Sequence, residues 1–84
     1  MIVLATATFT DPSKIGPYVD EEVAGLHGFR DRGLIQALFI RADGTGAVVL
    51  WNVASIEEAR RHIGELSFSK RGLMTIELTE LNPL

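Results

Sequence analysis

Glu22, His27, Tyr18 and Arg30 are the residues of this 84-residue sequence whose types and spacing admit chemistry. Placed ~100° apart around a helix, Ile15, Val19, Val23, Leu26 and Phe29 form one apolar stripe, and Glu22 and Arg30 fall inside it. A carboxylate at the mouth of an apolar cleft is desolvated, which raises its pKa and suits it to proton transfer. Arg30 is then the candidate clamp for an anionic substrate or a developing enolate charge. Tyr18 and His27 border the stripe on either side and are the candidate proton donors. The competing reading is structural. Glu22 and Arg30 lie near helix ends, where charged chains reach water or pair with each other or another subunit.

Other polar residues suggest less. Glu58, His62 and Glu65 share a stripe of a second helix, opposite Ile56, Ala59 and Ile63, and are expected to face solvent. With no third strong ligand and no paired-histidine motif, no metal is expected. Trp51, the sole tryptophan, reads as core or dimer-face packing with its indole N–H satisfied. Gln36, Thr6 and Thr8 interrupt apolar strands and need partners. They either line a small pocket near Phe9 or bond across strands. Glu77, between Thr75 and Thr79, is expected at a partner subunit or the sheet edge. There is no nucleophile-elbow serine, P-loop or dinucleotide fingerprint, since Gly44-Thr45-Gly46 is a turn, and no cofactor is expected. The absence of cysteine excludes a disulfide framework and a thiolate nucleophile.

The elements that must position these groups follow from periodicity. Strand-like runs occupy Ile2–Phe9, Leu34–Arg41, Ala47–Val53 and Leu73–Leu81, with amphipathic helices over Ser13–Arg32 and Ser55–Leu66. The order predicts an α+β, ferredoxin-like βαββαβ fold with a four-stranded antiparallel sheet. Asp11 or Ser13 caps the first helix, with Pro12 or Pro17 in its first turn, and Gly33 stops it. Gly25 and Gly28 weaken that helix by roughly 1 kcal/mol each, allowing a close approach or a kink. Residues 42–46 read as a hairpin turn, and Ser55-Ile56-Glu57-Glu58 is a capping box.

Both faces of the sheet are apolar, as in Ile2/Leu4 against Val3/Phe9 and Val48/Leu50 against Val49/Trp51/Val53. Two helices blanket only one face, so the other is expected to meet a second copy as a homodimer. A domain of 84 residues, expected to be a single unit over 1–84, buries only ~60% of its unfolded surface, so association would add stability. Hydrophobic residues make up 46% and charged ones 23%, as in a packed protein and not a disordered one. A net charge of −3 with scattered Lys and Arg lacks the footprint of a nucleic-acid binder. No run reaches the ~18 apolar residues of a membrane span, and Met1–Ala7 is too short for a signal peptide, so a cytoplasmic location is expected.

The second half carries a family likeness. Residues 46–59 (GAVVLWNVASIEEA), then Leu66-Ser67-Phe68, then residues 73–81 (LMTIELTEL) resemble the muconolactone isomerase-like group. The related YciI-like proteins share the rhythm of strand, Ser-x-Glu-Glu-Ala helix and final strand, with a proline near the end, here Pro83. The resemblance implies the dimeric α+β barrel superfamily, in which two ferredoxin-like sheets pack face to face. It also implies proton transfer between carbons of an unsaturated lactone, with Glu22 in the base role by position. The expected function is therefore a small-molecule isomerase acting on a small anionic carbonyl or lactone compound, with Arg30, Gln36 and Phe9 binding the substrate. The alternatives are a non-catalytic ligand-binding or assembly module on the same scaffold, or a cofactor-free oxygenase of the same superfamily.

Overall fold

Strand β1 (Ile2–Phe9) organises the sheet, pairing antiparallel with β3 (Gly46–Asn52) on one side and β4 (Met74–Leu81) on the other. Strand β2 (Ile35–Ile40) joins the far edge of β3, giving the order β2-β3-β1-β4 in the computed structural model, which describes residues 1–84. Helices α1 (Val19–Asp31), α2 (Ile56–Gly64) and the short α3 (Ser67–Lys70) complete the chain. The fold is the expected ferredoxin-like α+β arrangement.

Strand register decides what each face carries. Val3 pairs with Trp51, Ala5 with Val49 and Leu78, and Ala7 with Ala47 and Ile76. This face meets the helices: Val3, Ala5, Val49 and Trp51 share one buried cluster with Phe29, Ala59, Ile63 and Leu66. On the opposite face Leu4 pairs with Leu50, Thr6 with Val48, and Val48 with Phe39. None of these belongs to the core cluster, and Phe39 is 60% exposed. The helices therefore leave one face open, apolar where β1, β3 and β2 meet but polar along β4, where Glu77 lies opposite Thr6 and Thr75 opposite Thr8. Strand β2 contains a bulge between Ile35 and Ala37, so Gln36 drops out of the ladder and faces solvent.

The first helix is shorter than its apolar stripe suggested. Asp11 accepts the Ser13 N–H at 3.0 Å and opens a 3-10 turn over Pro12–Lys14, followed by a second over Gly16–Tyr18. Pro17 has no N–H to return to Ser13, and the chain closes tighter bonds there, Tyr18 to the Ile15 carbonyl at 2.9 Å. Regular helix starts only at Val19. Gly33, at φ +78°, ends it as expected. Ser55 accepts the Glu58 N–H at 3.1 Å, while the Glu58 carboxylate reaches past Ser55 to the Ala54 N–H at 3.5 Å. Gly25 is the close-approach glycine, since a Cβ there would lie 3.0 Å from Leu66, whereas one at Gly28 would meet nothing.

Gly46 is the position least able to change. A Cβ there would sit 2.0 Å from the Ala7 carbonyl oxygen, inside the β1–β3 ladder. Gly46→Ala must push those strands apart, and urea unfolding should show a loss of about 2 kcal/mol or more. An unchanged midpoint would contradict this close approach.

Candidate functional site

Between α1 and the sheet lies an open cleft of about 530 Å³. Its floor consists of small side chains on paired strands, Ala5, Ala7 and Ala47, with Val49 beside them. Larger groups bound it. At one end Phe29 of α1 meets Trp51 edge-on, with centroids 5.3 Å apart, and toward the other end Phe9 meets Phe68 at 5.6 Å. Val19, Val23 and Leu26 of α1 overhang the floor. Of the twenty residues around the cleft seventeen are hydrophobic, and only Glu22 and His27 bring an ionisable group.

Glu22 is 6% exposed. Its Oε1 accepts the Phe68 N–H at 2.9 Å, and no protein donor reaches its other oxygen. This bond explains why a carboxylate occupies an apolar stripe. Helix α3 has no capping side chain of its own. Its first turn leaves backbone N–H groups without helical partners, and Glu22 satisfies one of them from 46 residues away. Burial pushes the Glu22 carboxyl above its ordinary range, and the Phe68 bond opposes this only in part.

The other expected site residues divide in two. His27 and Phe9 line the cleft with Glu22, His27 from its exposed rim. Tyr18, Arg30 and Gln36 do not join them. Tyr18 lies outside, with the Arg71 guanidinium 4.0 Å above its ring, beside a polar groove that also contains Ser13 and Lys14. Arg71 in turn reaches Glu21 at 3.4 Å and the Ser67 hydroxyl at 3.2 Å. Arg30 is exposed, one residue and ~100° beyond the buried Phe29. Gln36 is the solvent-facing bulge residue, and Thr6 and Thr8 lie on the strand face away from the cleft.

His62 departs from expectation. It is 8% exposed, with its ring 4.9 Å from Phe29 and stacked on Trp51 at 6.0 Å. His62 follows Ala59 by three residues, ~60° around the helix, so it borders the apolar face instead of opposing it. Its Nε2 lies 3.3 Å from the Glu58 carboxylate, while its Nδ1 has no partner. The Trp51 indole N–H is also unpartnered, contrary to the satisfied indole expected. No group of three or more His, Asp or Glu side chains is placed to hold a metal ion. No helix is long and apolar enough to cross a membrane.

No protein-family model matches the chain, and no curated protein sequence matches it. Among solved structures it is similar to 5-chloro-2-hydroxyhydroquinone dehydrochlorinase from Burkholderia phenoliruptrix AC1100, in complex with 2,5-dihydroxybenzoquinone. The TM-score is 0.76 and the sequence identity 18%, over 98% of this chain and 94% of that one. At that identity the likeness is one of fold.

A carboxyl whose folded pKa is raised holds its proton when the unfolded chain has already lost it. The Glu22 contribution to stability therefore falls as pH rises from about the ordinary value of 4.5 through the folded value. Denaturant titrations of wild type and Glu22→Gln should show their stability difference moving in the variant's favour across that window. A difference independent of pH would contradict the burial of an ionisable carboxyl.

Proposed function

We propose that this protein is a small-molecule enzyme that moves a proton on a small cyclic carbonyl, enol or lactone compound bound beneath α1. The observation that carries the reading is Glu22: a buried carboxyl with a raised pKa, one oxygen unclaimed, beside an open apolar cleft. The Phe68 N–H fixes Oε1 and so orients the other oxygen. That oxygen accepts a proton from an acidic C–H or O–H of the ligand, whose bonding electrons move onto the ligand's carbonyl oxygen as an enolate. The carboxylic acid then returns the proton at a second atom of the same ligand, which completes an isomerisation without a cofactor. His27, the other ionisable group at the cleft, takes the role of donor toward the enolate oxygen.

The dehydrochlorinase of the same fold is complexed with 2,5-dihydroxybenzoquinone, a ring carrying both carbonyl and enolic groups, which supports a compact cyclic ligand here. A purely structural role for Glu22, and with it a non-catalytic module, draws support from the Phe68 bond. Glu22→Gln separates the two readings, because the amide oxygen still accepts the Phe68 N–H but the side chain no longer takes a proton. Exchange of enolisable lactone protons in D2O, followed by NMR, should slow about 100-fold or more while the melting temperature does not fall. Equal exchange rates would remove Glu22 from the reaction.

We also propose that two copies associate through the open sheet face. Leu4, Leu50, Val48 and the exposed Phe39 form an apolar row there that no helix covers. Leu50→Lys would place an ammonium in the middle of this row. Sedimentation should show a dimer for wild type and a monomer for the variant, and a variant of unchanged mass would place the interface elsewhere.

A further inference from the structure

We infer that the cleft selects uncharged ligands presenting a hydrogen-bond donor to Glu22, and rejects carboxylates of the same shape. The inference rests on the proposed role of the cleft as a ligand site, and reverses the sequence-based expectation of an anionic substrate.

Charge inventory is the first argument. No Lys or Arg lines the cleft. Arg30 is exposed away from it, and Arg71 is engaged by Glu21, Ser67 and the Tyr18 ring. Lys14 lies in the neighbouring polar groove, 3.9 Å from Asp11. A bound carboxylate would thus enter apolar surroundings without the cation that normally offsets its lost hydration. His27 brings the only other ionisable group, and it sits at the exposed rim.

Glu22 supplies the second argument. Its buried carboxylate would stand beside a second negative charge with little water between them, where repulsion is far stronger than in bulk solvent. A neutral ligand avoids both penalties. Because the unclaimed Glu22 oxygen is an acceptor when ionised, the edge facing it must be a donor: a hydroxyl, an amide N–H or an acidic C–H. The alanine and valine floor accommodates the flat hydrocarbon remainder.

The pair 2-naphthamide and 2-naphthoate tests this, since the two have nearly the same shape and differ in charge and donor capacity. Binding is followed in the 15N-labelled protein near neutral pH through the single indole N–H resonance, that of Trp51 on the cleft wall. The expected result is a Kd at least about tenfold lower for the amide, reflecting an uncompensated charge. Glu22→Gln should shrink that ratio by improving naphthoate binding. Naphthoate binding as tightly as the amide would overturn the charge selection and leave the proton-transfer reading standing. If neither compound moves the Trp51 resonance at millimolar concentration, the cleft is not a ligand site and both readings fall. A ratio unchanged in Glu22→Gln would overturn the part assigned to Glu22.

Discussion

The hydrogen bond from the Phe68 amide to Glu22 joins the two helical segments that enclose the cleft. Helix α1 reaches the sheet through Phe29 on Trp51 at one end, and Phe68 reaches it through Phe9 toward the other. Between these aromatic contacts the two central strands offer alanines and a valine, too short to fill the space under α1, with larger Leu38, Ile40, Met74 and Ile76 on the outer strands. The cleft thus arises from a difference in side-chain size along adjacent strands. Glu22 ties the two supports together, so the group that holds the wall is also the group presented to the interior.

Such an arrangement is costly in a chain of this size. A small domain has little apolar area with which to offset a buried carboxylate. The sheet's helix-side core also contains an indole N–H and an imidazole Nδ1 without protein partners. Three polar groups thus sit within or beside a core whose fully buried large side chains are only Trp51 and Val3. A purely structural solution would replace them with aliphatic residues. Glu22 and Trp51 border the open cleft, whereas His62 packs behind Trp51 and Phe29.

Much of the scaffold was legible in the residues. Alternation located β1 at Ile2–Phe9, Gly33 marked the end of α1, and Ser55 with Glu58 marked the start of α2. Glu22 was legible too, because a charged residue inside an apolar stripe needs an explanation. Its partner was not: the acceptor meets a backbone N–H, which carries no side-chain signature, 46 residues away. Arg30 and His62 were misplaced for a common reason. Wheel angles give direction around a helix, but the width of the buried sector depends on what packs against it, here Trp51 and Phe29 for His62. Pro17 was read as a first-turn residue of a continuous helix, whereas two 3-10 turns precede Val19 and carry Tyr18 outside the cleft.

The bulge at Gln36 has a consequence for how copies of this chain meet. Strands β2 and β4 are the sheet's two free edges, each with unpaired backbone groups that could template another strand. The bulge breaks the regular spacing on β2, and Glu77 and Glu80 place like charges along β4. Lateral strand addition, which extends indefinitely, is thereby discouraged at both margins. The open broad side is apolar over Leu4, Leu50 and Val48, with the charge of Glu77 confined to its β4 margin. The proposed association through that side would use up the surface that drives it, and so would end in a closed particle of fixed size instead of a growing fibril.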